Sequence, residues 1–167
     1  GPRSEPKVRV QVVDSPDALA SLAEVLQKSE VIAFDTETSS TDEMSADLVG
    51  ISLAVCTGEG YYIPVGHRSG AQLSPEQVLS ALRSPLTDSR IPKIGHNLKY
   101  DAIMLARQGL KPAPLAFDTM IAEWVIDPSS RNLGLKNLAA LRLGEVMTHI
   151  EDLIGSGKKQ RSMAEVA

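Results

Sequence analysis

Two carboxylates two residues apart, Asp35 and Glu37, close a short apolar run, Val31-Ile32-Ala33-Phe34. A continuous run of this kind reads as a central buried strand. Strand alternation then puts both acids on the same side of it. Two anions held so close repel one another unless a positive charge neutralises them, and their hard oxygens suit a divalent cation. The competing structural reading is an exposed strand end at which Asp35 caps a turn.

A third carboxylate follows in Gly95-His96-Asn97-Leu98-Lys99-Tyr100-Asp101. Here a short strand gives way to a helix that Asn97 can cap. Asp101 lies one turn further on, so it projects from a similar face and could confront the Asp35/Glu37 pair. Taken alone, it could equally be a surface residue paired with Lys99. Asp118, in Phe117-Asp118-Thr119-Met120, sits at another helix start and reads as a structural cap.

The elements that must position these groups follow from periodicity and punctuation. Residues 7–12 alternate polar and apolar as a strand does. Asp14-Ser15-Pro16 opens a helix whose apolar face holds Leu19, Leu22, Ala23, Val25 and Leu26. After the run at 31–34, strands are expected at 48–55 and 60–64, and three strands joined by short connections suggest an antiparallel meander. The pattern then becomes helix from Ser74-Pro75 to about Leu82, strand at 92–95, helix at 97–108 ended by Gly109, extended chain at 114–117, and helices at 118–126 and 133–143. A polar loop, Gly155-Ser156-Gly157-Lys158-Lys159-Gln160-Arg161, comes next. The expectation is an α/β domain with a mixed sheet and helices on its faces.

The chain has 167 residues, enough for one domain with a core of its own. Aromatics make up 4%, so that core must rest on Leu, Val, Ile and Ala. No apolar run has the length of a membrane span. The single cysteine, Cys56, excludes an internal disulfide and a cysteine zinc site. Its apolar neighbours Leu53, Ala54 and Val55 read it as a buried strand residue, and a cytoplasmic setting is expected. The net charge of −4 is unevenly distributed: residues 14–60 carry −9 and residues 61–111 carry +4. Acidic and basic regions side by side suit a metal-dependent enzyme on nucleic acid. Gly1-Pro2 resembles a remnant of tag cleavage; residues 1–6 are set aside as an irregular N-terminus and the domain is placed at 7–167.

Taken together, the three acidic segments resemble the motifs of the 3′–5′ exonuclease (proofreading) domain of family-A DNA polymerases, a branch of the DEDD exonuclease superfamily. Phe34-Asp35-Thr36-Glu37-Thr38 is similar to its first motif and Gly95 through Asp101 to its second. Phe117-Asp118-Thr119-Met120 and the lysine loop follow in the same order, and Tyr61-Tyr62-Ile63-Pro64-Val65-Gly66-His67 resembles the strand between the first two motifs. The resemblance implies a ribonuclease-H-like fold. It also implies two Mg2+ or Mn2+ ions, about 4 Å apart, clamping the scissile phosphate of a single-stranded DNA 3′ end. By the resemblance, Asp35 bridges both ions, Glu37 helps hold the ion that activates water, and Asp101 serves the ion that stabilises the leaving 3′ oxygen. Asn97, Tyr100 and Thr41 match positions near the terminal nucleotide. Lys158, Lys159 and Arg161 are candidate phosphate contacts.

The family's fourth carboxylate lies on a Tyr-x-x-x-Asp helix after the lysine loop, and no such motif occurs in residues 1–167. His149-Ile150-Glu151-Asp152 has the wrong spacing, and Glu165 is the remaining candidate for a substitute. The expectation is therefore a domain lacking its C-terminal helix. It would have weak or no nuclease activity by itself and apolar surface open to self-association, and its parent protein would carry a polymerase domain. The alternatives are a non-catalytic scaffold or single-strand-binding module of the same fold, and an RNA-trimming relative.

Overall fold

The computed structural model describes residues 8–42, 44–147 and 161–166. Six strands form one mixed sheet: β1 (Arg9–Val12), β2 (Ile32–Thr38), β3 (Leu48–Cys56), β4 (Glu59–Pro64), β5 (Lys93–Gly95) and β6 (Leu115–Asp118). Their spatial order is β1-β4-β3-β2-β5-β6. The β2-β3-β4 meander is antiparallel, while β1 joins β4, β5 joins β2 and β6 joins β5, all in parallel. The acid-bearing strand therefore lies inside the sheet, with the meander on one side and the crossover strands on the other.

Helices α1 (Pro16–Gln27) and α2 (Pro75–Thr87) start alike, with a serine cap followed by proline. The Ser15 and Ser74 side chains accept from Ala18 N–H and Gln77 N–H, and Gln77 completes a capping box. Their apolar faces, with Leu19, Leu22 and Leu26 on one and Val78, Leu79, Leu82 and Leu86 on the other, join Ile32, Phe34, Ile51 and Ile63 of the sheet in one core. Helix α2 runs past Leu82 because its buried spacing continues through Pro85 and Leu86; Pro85 lies on the packed face in the last turn, where its burial outweighs the missing N–H. Beneath that end Lys93 is 0% exposed, and its Nζ donates to the carbonyls of Pro85, Asp88 and Ile91 at 3.2, 2.8 and 2.5 Å.

Helices α3 (Leu98–Arg107) and α4 (Thr119–Ile126) each follow directly on a sheet strand. The helix expected at 133–143 divides into α5 (Leu135–Leu138) and a wide turn at Ala139–Leu143 with i→i+5 geometry, ended by Gly144 at φ 72°. That turn brings Arg142 to Glu123, which it meets through two nitrogens at 3.0 and 2.9 Å. Helix α4 is packed in an unusual sense: its buried residue is Glu123, while Ile121, Trp124, Val125 and Ile126 are exposed. Cys56, expected inside, is exposed. Alternation along β3 turns Ile51, Leu53 and Val55 toward the core, so Cys56 falls on the opposite face, at the entry to the β3–β4 turn.

Candidate active site

The burial of β2 alternates as its sequence dictates: Ile32, Phe34 and Thr36 are buried, whereas Asp35 and Glu37 face the other way. Cross-strand pairing extends this face across the sheet. Asp35 pairs with Ser52, which pairs with Tyr62; Glu37 pairs with Gly50, which pairs with Pro64. Gly50 has a steric reason to be glycine, because a Cβ there would lie 2.1 Å from the Tyr62 hydroxyl. The phenol thus occupies the place of a side chain opposite Glu37, and direct cross-strand partners have Cβ atoms about 4.5–5.5 Å apart.

Asp101 approaches β2 from its other edge. Along β2, strand β5 pairs with Ile32 and Ala33, so among the described residues the β5 side of β2 has no ladder partner beyond Ala33. Asp101 takes that role. Its Oδ1 accepts from the Thr36 backbone N–H at 2.9 Å and from the Thr36 hydroxyl at 2.6 Å. The side chain is not the surface residue that pairing with Lys99 would require; Asp101 is 2% exposed. Gly95 lets α3 come this close, since a Cβ there would meet Leu98 Cδ2 at 2.6 Å and the Phe34 carbonyl at 2.9 Å.

Burial raises all three acids, and the charge of Asp101 acts on the other two. Burial raises the Asp35 carboxyl to about 7, and Asp101 and then Glu37 add to the shift. Glu37 is raised by burial and by Asp101, partly offset by His67 and Lys136. Burial also raises Asp101, against the lowering effect of the two Thr36 bonds. Burial and Glu37 push the Tyr62 phenol up to about 12, so it stays protonated. Among the described residues, no three acidic, His or Cys side chains stand close enough to cage an ion unaided. The donor set nonetheless suits a divalent cation: three hard, partly buried carboxylates, two of them raised by the charge of Asp101, are what a cation would relieve.

The other expected residues are distributed as follows. Asn97 stands at the start of α3 but does not cap it through its side chain; its φ is 58°, a left-handed turn that asparagine tolerates. The capping falls to Asp118, which accepts from Asn97 N–H at 3.0 Å and Leu98 N–H at 2.8 Å, and from Met120 N–H at 2.9 Å in its own helix. Tyr100 places its hydroxyl 2.7 Å from both Thr38 Oγ1 and the Ser40 carbonyl, bracing the loop that holds the exposed Thr41. Lys158 and Lys159 lie outside the described residues, and Arg161 is exposed. Glu165 does not join the carboxylates: one oxygen pairs with Arg68 and the other accepts from Ser162 N–H at 2.9 Å.

Sequence reasoning assigned no role to Thr36, Tyr62 or His67. The available signal was pairing: once β4 lies beside β3, Tyr62 shares a row with Asp35. His67 then meets the Tyr62 hydroxyl at 2.6 Å through Nε2 and the Val166 carbonyl at 2.9 Å through Nδ1. A carbonyl only accepts, so Nδ1 carries the hydrogen.

Comparison with known proteins places this geometry in a family. The sequence profile of the 3′–5′ exonuclease family matches residues 10–166. The chain is 44% identical to DNA polymerase I of Chloroflexus aurantiacus over 167 residues, covering 99% of this chain and 17% of that protein. It is 37% identical to DNA polymerase I of Pseudomonas aeruginosa over 147 residues, covering 85% of this chain and 16% of that one. It therefore spans under a fifth of the length of these relatives. Among solved structures, Escherichia coli RNase D, an exoribonuclease involved in structured RNA processing, superposes with a TM-score of 0.67 at 25% identity, over 87% of this chain and 36% of that one. Brucella melitensis NrnC with bound Mg2+ shares the fold at a TM-score of 0.63 and 21% identity, over 85% of this chain and 64% of that one. The mixed sheet is thus the ribonuclease-H-like sheet of the DEDD exonucleases, a group whose chemistry implies divalent metal ions. The chain belongs to the 3′–5′ exonuclease domain family of family-A DNA polymerases.

Proposed function

We propose that this domain removes the 3′-terminal nucleotide of single-stranded DNA by hydrolysis, as the proofreading part of a longer DNA polymerase. A single observation carries the reading. Asp35, Glu37 and Asp101 come from two elements to one end of the central strand, where burial raises the proton affinity of all three and the charge of Asp101 adds to the shift of the other two. Mg2+ or Mn2+, two ions in the intact family, would be held by Asp35 and Glu37 from β2 and by Asp101 from α3. When bound, such ions supply the positive charge that makes water acidic enough to attack near neutral pH and that offsets charge on the leaving oxygen. Tyr100 and the loop that it braces, with Thr41 and Asn97 nearby in sequence, line the approach of the terminal nucleotide. Lys158, Lys159 and Arg161 supply phosphate contacts.

Within residues 1–167 the site has three acids and lacks the Tyr-x-x-x-Asp pattern, and Glu165 is engaged elsewhere. We therefore expect the 1–167 chain to bind metal and cut slowly or not at all. The test compares degradation of a single-stranded DNA with Mn2+ by 1–167, by its Asp35→Ala variant, and by a chimera continued with the Tyr-x-x-x-Asp segment of a family member. Cutting by the chimera alone supports the reading. If neither the chimera nor 1–167 cuts or binds Mn2+, the three acids are no active site and a scaffold takes its place.

The 25% identity with an exoribonuclease favours RNA trimming as a second reading. Matched DNA and RNA oligonucleotides given to the same chimera separate the two. A polymerase domain in the longer chain is the partner this reading requires, and the cytoplasm, where bacterial DNA lies, is its compartment. The exposed apolar residues of α4 support self-association of 1–167, which light scattering across a concentration series would measure.

A further inference from the structure

Thr36 stands between the two acids of β2, with its side chain on the buried face opposite theirs. Its backbone N–H and its hydroxyl both converge on one atom, Asp101 Oδ1, at 2.9 and 2.6 Å. Two donors at these distances fill the hydrogen-bonding capacity of that oxygen, since a carboxylate offers about four lone-pair sites over its two oxygens. Both bonds come from a rigid strand, and threonine is restricted at χ1, so the plane of the Asp101 carboxylate is fixed and Oδ2 is the oxygen that can turn to a cation. Thr36 is itself 7% exposed and Asp101 2%, so solvent competes little for either bond.

We infer that Thr36 is a positioning residue of the metal site: it aims Asp101 Oδ2 around the free edge of β2 toward Asp35 and Glu37. This rests on the proposed metal-binding role of the three acids. The position explains the choice of side chain. Valine would fit the same buried space but leave Oδ1 with one donor. Serine would keep both donors.

The experiment titrates Mn2+ into wild type, Thr36→Val, Thr36→Ser, Thr36→Ala and Asp101→Ala by calorimetry, at a temperature where circular dichroism shows each to be folded. Loss of the hydrogen-bond partner of a metal ligand lowers affinity about 10–100-fold. Thr36→Val and Thr36→Ala are expected to show that loss, and Thr36→Ser to stay near wild type. A purely structural hydroxyl would lower the melting temperature of Thr36→Val and leave Mn2+ affinity unchanged, and that result overturns the inference. Should Thr36→Val not fold, Thr36→Ala, with less bulk to place, gives the same comparison. If Asp101→Ala binds Mn2+ as wild type does, the three-acid reading itself fails and this inference falls with it; if Asp101→Ala loses binding and the Thr36 variants do not, this inference alone is wrong.

Discussion

The hydroxyl of Tyr62 sits 2.6 Å from His67 Nε2, in space that exists because residue 50 has no side chain. A methyl group at Gly50 would meet three phenol atoms at 2.1–2.6 Å, so the ring must swing away and lose His67. Overpacking of this kind costs about 1–3 kcal/mol. Gly50→Ala is expected to destabilise by that amount in urea unfolding. In a Tyr62→Ala background the same substitution should cost much less, and a double-mutant cycle would measure the coupling.

The raised carboxyls predict an unusual dependence of stability on pH. A carboxyl whose pKa is higher folded than unfolded binds protons more readily in the folded state. The folded chain therefore gains stability as pH falls through about 7, the Asp35 value, toward the ordinary carboxylate range, and loses it as pH rises. Glu37 and Asp101 shift in the same direction. In a chelator, the melting temperature is expected to be higher at about pH 5.5 than at about pH 8. Asp35→Asn should flatten that difference, and saturating Mn2+ should raise the alkaline value. Asp42, Asp88 and Asp127 are lowered by their hydrogen-bond partners, so their contribution is lost only at more acid pH.

Lys93 donates to three carbonyls without reaching water. Lys93→Met keeps the packed stem and removes the donors, leaving the last turn of α2 and the turn after it without them. Hydrogen bonds to charged groups contribute about 1.5–3 kcal/mol, and a loss of this size is expected in chemical denaturation. Lys93→Arg, with a wider head in the same enclosed space, should not restore it.

Asp118 serves the first N–H groups of two helices. Removing a capping side chain costs about 0.5–2 kcal/mol for one helix, so Asp118→Ala is expected to exceed an ordinary cap deletion in denaturant unfolding. Because α3 carries Asp101, the same variant should also weaken Mn2+ binding, whereas Ser74→Ala at the start of α2 should cost stability alone.

Much of this was legible in the sequence wherever one local rule decided the outcome. The serine-proline helix starts, the apolar run of β2 and the same-face placement of Asp35 and Glu37 follow from caps and a period of two. Asp118 could be read as a cap from its place before α4, but its reach to α3 could not, because that depends on β5 and β6 being neighbours in the sheet. Asn97 looked like the cap of α3; its left-handed backbone gives that role to another chain segment. The position of Asp101 one turn after Asn97 can be read from the sequence, yet its burial depends on β5 ending before β2 does, a difference between strands that no single segment encodes. The division at 135–143 arose the same way, from Arg142 turning toward Glu123 on α4.

The inverted packing of α4 has a practical consequence for measurement. Its outward residues include Trp124, the one tryptophan of the chain, at 55% exposure. Indole emission shifts to shorter wavelength when water is removed from around the ring. The protein thus carries an intrinsic optical reporter on the surface where coverage is in question, and each partner, second copy or continuation of the chain that settles on α4 will announce itself as a colour change without any label.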